Sequence, residues 1–366
     1  MDKISELREI VSPIFVWNKA RLDCFVRLLL ALFAVRTVNL RELAVGFMSD
    51  VQIDSRYQRI KRFFSQFKLD TDQVAKWIYP LFFANNKKVY ITIDRTNWFW
   101  GKAKINILMI GIAYEGLAIP LFWKLLNKAG NATAKEQIAI LKRFIKIFGK
   151  SCILGVLGDR EFGNGELLKW LNKQKIPFYI RIKDNTIVCI RDKKFHKAKK
   201  IFNHLNPKTQ KPFYMAVLIW GTKVYLAGSR SERGELMIVA TNQKPQTAIA
   251  VYLRRWEIES LFQGLKARGF RFEQTHITQP ARIEKLMAVL AIAFCWAHKI
   301  GEWRATIKLI IFNQHKASRR PQYSYFRYGF DLIRSAVLQF SAYFKQIKQY
   351  LKQIFLTIPS LEQVAL

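Results

Sequence analysis

The hydrophobic positions change their spacing three times along the chain. Through residue 85 they recur at helical intervals: Ile60, Phe63, Phe64 and Phe67 stand at i, i+3, i+4 and i+7, which predicts a helix with Arg59 and Arg62 turned away from its apolar stripe. From Lys88 the period falls to two. Val89, Ile91 and Ile93 share one face of a predicted strand, and Asp94 ends it on the other. The apolar runs Ile105–Tyr114 and Leu117–Trp123 follow, separated only by Glu115 and Gly116. So short a gap predicts antiparallel hairpins, because a parallel crossover takes about a dozen residues or more.

A helical stretch from Ala134 to Phe148, closed by Gly149, leads into the continuous apolar run Cys152–Leu157, which ends at Asp159. A strand apolar on both faces that follows a helix reads as parallel and central. Residues 164–174 are again helical, and Phe178–Ile182 is a further strand. The order β-β-β-α-β-α-β predicts an α/β fold with an RNase H-like mixed sheet at its core. Between Lys183 and Pro245 the helical signal disappears, and strands are predicted at Thr186–Arg191, Phe213–Trp220, Lys223–Arg230 and Leu236–Thr241, with Gly221 and Thr222 as a two-residue turn. This block reads as a β-rich insertion. From Gln246 the helical period returns and lasts to the end.

Composition narrows the picture. At 51% hydrophobic and 14% aromatic residues, with 17 Gly and 10 Pro, the 366-residue chain can bury a core, which excludes a disordered, collagenous or low-complexity protein. Its 61 Lys and Arg against 26 Asp and Glu leave a net charge of +35, and so large an excess points to a polyanionic partner. The longest apolar stretch, Leu286–Ala297, is too short to span a bilayer, so no membrane is expected. Asp2, Glu6 and Glu9 near the start do not fit a signal peptide. Cys24, Cys152, Cys189 and Cys295 form no CxxC pair or Cys/His cluster, and read as reduced thiols of a cytoplasmic protein rather than a disulfide frame or zinc site. The charge is uneven: residues 1–85 carry 13 Lys and Arg against 9 acids, residues 183–211 carry nine against two, and residues 299–352 carry eleven against two.

Asp94 and Asp159 each stand at a predicted strand exit, where open α/β sheets place their ligands. Either alone reads as a turn or cap residue. Together they are two hard oxygen ligands on neighbouring strands, suited to holding Mg²⁺ against a phosphodiester. The third element is the helix YLRRWEIESLFQGLK. At about 100° per residue, Arg255, Glu259 and Lys266 fall within about 60° of Tyr252, while Ile258, Leu261 and Leu265 form a separate apolar stripe and Glu257 faces elsewhere. Glu259 is therefore the carboxylate that shares a face with two cations and a phenol. An ordinary helix laced by an Arg255–Glu259 salt bridge would show the same pattern.

The spacing Tyr252, Arg255, Glu259, Lys266 resembles the Tyr-Arg-Glu-Lys signature of bacterial insertion-sequence transposases of the "IS four" type. Asp94 and Thr96 in Asp-x-Thr, and Gly158, Asp159, Arg160 and Phe162 in Gly-Asp-Arg-x-Phe, look like that family's first and second acidic motifs. The resemblance runs from Lys88 to Phe270. It implies a DDE transposase, in which Asp94, Asp159 and Glu259 are the catalytic, metal-binding triad, and Tyr252, Arg255 and Lys266 contact DNA phosphates. It implies two Mg²⁺ ions, with Mn²⁺ as a substitute, and cut-and-paste cleavage and strand transfer. The partners are double-stranded DNA, as terminal inverted repeats and as target, and a second copy of the chain assembled on the DNA ends. The division that follows is a helical N-terminal DNA-binding region (1–85), the first portion of the core (86–182), the insertion (183–245), core completion with the Glu259 helix (246–300) and a basic helical C-terminal region (301–366). The expected location is the bacterial cytoplasm, at the nucleoid. Relatives stack a tryptophan of the insertion on a flipped base; the insertion's single tryptophan, Trp220, lies 32 residues before Tyr252 and reads instead as hairpin packing. An RNase H-like nuclease without strand transfer, and an inactive or domesticated DNA-binding protein, remain alternatives.

Overall fold

The computed structural model describes residues 3–83, 87–190, 194–312, 321–338 and 342–356. The boundary expected at residues 85 and 86 lies outside the described residues, as do Arg191, Asp192 and Lys193 of the basic stretch and residues 313–320, 339–341 and 357–366 of the C-terminal region. The chain forms two compact units: Asn85–Leu261, and Met1–Ala84 together with Phe262–Leu366.

The N-terminal portion of the helical unit comprises α1 (Lys3–Val11), α2 (Lys19–Val35), α3 (Leu40–Val45), α4 (Ile53–Gln66) and α5 (Thr71–Phe82). Asn18 starts α2 by accepting the Arg21 backbone N–H, and Asn39 and Asp70 cap α3 and α5 in the same way. On α4 the predicted stripe is observed: Ile60, Phe63 and Phe64 are buried, with Phe67 just past the helix. Arg59 is off that stripe but engaged, donating to the Ala20 carbonyl and to Asp23 at 3.0 Å.

The sheet unit is built on β1 (Val89–Trp100), β2 (Ala103–Tyr114) and β3 (Leu117–Leu125), then α6 (Ala134–Phe148), β4 (Ile153–Gly158), α7 (Gly165–Lys173) and β5 (Phe178–Ile182). A capping box of Thr133 and Glu136 opens α6, and Asn164 caps α7. β1 is antiparallel to β2, and β2 to β3, whereas β1–β4 and β4–β5 are parallel. The order β3-β2-β1-β4-β5 is the RNase H-like arrangement. The remaining strands, β6 (Ile187–Ile190), β7 (Lys194–Lys197), β8 (Gln210–Ile219), β9 (Thr222–Arg230) and β10 (Leu236–Thr241), continue the same sheet past β5 as β10-β9-β8-β6-β7. The β-rich block thus extends the core sheet through an antiparallel β5–β10 ladder.

The turn between β8 and β9 is shifted by one residue from the sequence reading. Ile219 pairs with Thr222, leaving Trp220 and Gly221 as the loop, both with positive φ (49° and 74°). That is the backbone a two-residue hairpin needs to match strand twist. Trp220 is half-exposed and sits against the first residue of α7, where a Cβ on Gly165 would lie 2.8 Å from its own Cβ.

The chain then runs through α8 (Ala248–Leu253), a 3₁₀ turn at Arg254–Trp256, and α9 (Glu257–Leu265). α10 (Pro280–Ile307), α11 (Tyr325–Leu338) and α12 (Ala342–Leu356) complete the helical unit. The apolar run Leu286–Ala297 is buried within α10. α10 and α11 cross backbone to backbone: a Cβ on Gly301 would lie 1.8 Å from the Tyr325 carbonyl oxygen, and one on Gly329 1.9 Å from that of Ala297. All four cysteines are free, Cys24 and Cys295 fully buried. Among the described residues no helix is long and apolar enough to cross a membrane.

Candidate active site

The parallel ladder of β1 and β4 ends with Ile93 opposite Gly158. Asp94 and Asp159 are the next residues of the two strands, so both carboxylates issue from the C-terminal limit of the ladder, where open sheets place ligands. β1 itself does not stop there. Asp94 pairs with Met109, and the strand goes on to Trp100 because its hairpin with β2 outlasts its pairing with β4. Each Asp also braces its own backbone: Asp94 Oδ1 accepts the Arg95 N–H at 2.7 Å, and Asp159 Oδ1 accepts that of Glu161 at 2.8 Å.

Tyr252 lies near the end of α8, and the 3₁₀ turn separates it from Glu259 on α9. One α-helical projection across this segment therefore fails, since a 3₁₀ turn advances about 120° per residue. The Arg255–Glu259 relation survives the break. Arg255 Nη2 donates to Glu259 Oε1 at 2.7 Å, and Nη1 to Asp94 Oδ2 at 3.2 Å. One buried guanidinium thus bridges two of the three carboxylates, and it sits 5.8 Å from the centroid of the fully buried Tyr252 ring. Its Nε is buried with no hydrogen-bond partner among the described residues. Glu259 remains half-exposed, whereas Glu257 turns away to pair with Arg254 at 3.0 Å. Lys266 belongs to the helical unit, where its amine pairs with Glu273 at 2.7 Å.

Burial pushes the Asp94 carboxyl up to about 7. The Arg95 N–H and Arg255 oppose the rise, and the charges of Asp159 and Glu259 add to it. Burial likewise raises the Tyr252 phenol above its ordinary value.

A polar network passed over by the sequence reading braces both acidic residues. Arg95 Nε donates to Glu161 Oε1 at 2.9 Å, and its other nitrogens reach Asn106 at 2.9 Å and Asn131 at 3.3 Å. Glu161 also accepts the Ala132 N–H at 3.0 Å. Gln137 and Asn164 extend the network, with Asn164 donating to Gln137 at 2.8 Å. The signal was present in the sequence: Arg95 directly follows one Asp, and Glu161 stands two past the other.

Asp159 and Glu259, whose charges make Asp94 costlier to ionise, form with it a set of hard-oxygen donors. Among the described residues no three His, Cys, Asp or Glu side chains are arranged as a metal cage, and Arg255 supplies the counter-charge between Asp94 and Glu259.

Strands in the order β3-β2-β1-β4-β5, with acids at the end of the parallel pair, define the class as RNase H-like. The chain belongs to the Transposase DDE domain family, whose model matches residues 87–296, more than half of its length. A piggyBac transposase synaptic complex with hairpin DNA, determined by cryo-EM, aligns at a TM-score of 0.45 and 12% identity, over 97% of this chain and 82% of that one. Comparison with curated proteins gives no match.

Proposed function

We propose that this transposase is a metal-dependent enzyme that cuts DNA at the ends of an insertion sequence of the "IS four" type and joins those ends to target DNA by a cut-and-paste route. The observation that carries the reading is the pair Asp94 and Asp159 at the end of the β1–β4 ladder, linked through Arg255 to Glu259, inside the segment matched by the family. Asp94, Asp159 and Glu259 would hold Mg²⁺, or Mn²⁺ in its place. Bound there, the ions supply Lewis-acid activation of the attacking oxygen and charge neutralisation at the leaving one.

The chain's own groups set the geometry. The rigid ladder fixes the separation of the two Asp residues, and the Arg95–Glu161 network holds the backbone on both sides of them. Arg255 neutralises Asp94 and Glu259 at rest, and its unpartnered Nε is the donor left for a phosphate oxygen. Tyr252 packs under that guanidinium, and Lys266 contributes a phosphate contact. In-line attack by water frees a 3′-hydroxyl, which then attacks the target phosphodiester. Surface lysines and arginines bind the terminal repeats and target through phosphates and counterion release. Two copies assembled on paired ends act in the bacterial cytoplasm.

The test is incubation of purified full-length protein with DNA carrying the element's ends in Mg²⁺, Mn²⁺ or chelator. Metal-dependent nicks bearing 3′-hydroxyls, followed by joined products, are expected. Cleavage without joining would replace this reading with a nuclease. No cleavage in either metal would leave a DNA-binding protein without catalysis.

A further inference from the structure

The helical unit contains an open cleft of about 480 Å³ for which the carboxylate site has no use. Arg41 of α3 and Tyr57 and Lys61 of α4 form one wall; His276, Gln279 and Arg282, at and before the start of α10, form the other. No lining residue carries a carboxylate. Residues so distant in sequence meet because two bonds fasten the walls: Lys285 Nζ donates to the Phe64 carbonyl at 2.9 Å, and Thr37 Oγ1 to Gln274 Oε1 at 2.8 Å.

Two of the cations share one ring. The Tyr57 ring lies 5.9 Å from the Arg41 guanidinium carbon and 5.5 Å from Lys61 Nζ, and such contacts hold long side chains in place. Arg41 also pairs with Asp54, but both side chains are more than half exposed, so the pair is weak. Beside the cleft, α4 exposes Ser55, Gln58, Arg62 and Ser65 at helical spacing, short or planar polar groups of the kind that reach base edges.

We propose that this cleft seats the sugar–phosphate backbone of duplex DNA, with Arg41, Lys61 and Arg282 on phosphates and the outer face of α4 turned to the bases. An open cleft continued by a polar helix face fits a long polyanion better than a free anion. A single strand would need rings for stacking, and Tyr57 is already engaged by its two cations. The proposal rests on the reading of the chain as a DNA enzyme.

The experiment is fluorescence anisotropy of a labelled duplex with full-length wild type and the R41Q/K61Q/R282Q variant, from about 50 to 200 mM salt. Loss of three phosphate contacts should reduce the slope of log K against log salt by about 2.7. A second variant, Asp54→Asn, keeps every cation and should tighten duplex binding about two- to fivefold. If the wild type binds and cuts DNA while the triple variant keeps its slope, or if Asp54→Asn leaves affinity unchanged, the cleft assignment is overturned and the catalytic reading stands. Displacement of duplex by inorganic phosphate at matched ionic strength would assign the cleft to a free anion instead. A wild type that neither binds nor cuts DNA would overturn the catalytic reading itself.

Discussion

In the sheet unit Arg95, Glu161, Asn106, Gln137 and Asn164 are joined in a bonded polar network, whereas the helical unit packs groups of aromatic rings among its aliphatic side chains. Phe15, Trp17, Phe25, Phe63 and Phe67 make one aromatic group there, and Phe33, Phe270, Phe294, Phe326 and Phe330 make another, with centroids 4.6–6.5 Å apart. The contrast shows where each unit accepts energetic cost. Buried polar groups are expensive unless every partner is present, so a network is worth keeping where acids must be held in fixed positions. Phenylalanine rings give large burial with no polar group that needs a partner.

The largest effect expected is catalytic. Asp94→Asn, Asp159→Asn or Glu259→Gln should each lower cleavage on the order of 10³-fold or more while leaving duplex affinity within about twofold, as read from single-turnover rates and anisotropy. Near-normal cleavage by Glu259→Gln would move the third carboxylate elsewhere, with Glu257 the next candidate.

Stability separates the units next. Phe330→Ala removes a fully buried ring in contact with three others and should cost about 3–5 kcal/mol in denaturant unfolding. Arg95→Ala leaves the largely buried Glu161 unpaired and should cost about 3 kcal/mol. Hydrogen exchange would show whether each loss is confined to its own unit. Arg255→Ala should cost less than Arg95→Ala, because Glu259 is half-exposed and Asp94 can take up a proton near neutral pH, yet it should harm cleavage more.

The smallest effect is a pH dependence in the helical unit. Burial alone would raise the Glu302 carboxyl, but the His298 ring 3.2 Å away and the Lys299 ammonium hold it down to about 2. Its folded pKa lies below its unfolded one, so the stabilisation is complete above about pH 4.5 and is lost as pH falls toward 2. Glu302→Gln should therefore cost about 2 kcal/mol at pH 6, and the gap to wild type should narrow as pH falls below about 4.5 and close only near pH 2 in parallel urea titrations.

The strand half of the site was legible in the sequence because a period of two survives bends: Asp94 and Asp159 emerge together wherever Ile93 and Gly158 pair. The helical half was legible only locally. Arg255 and Glu259 are four residues apart and meet, but the 3₁₀ turn at Arg254–Trp256 defeats any longer projection, and nothing in the spacing showed that Lys266 pairs with Glu273. The Arg95–Glu161 pair and the walls of the cleft are long-range pairings between segments whose local patterns carry no mark of each other. The Trp220 turn was misplaced by one residue because a non-glycine residue there takes a left-handed conformation.

The crossing of α10 and α11 bears on how freely this sequence can vary. At Gly301 and Gly329 even a methyl group would meet a carbonyl oxygen inside 2 Å, so any replacement must push the packed helices apart by more than an ångström. Neither position holds a carboxylate or a cation. A saturation library scored only for soluble, folded protein should nonetheless return glycine at both.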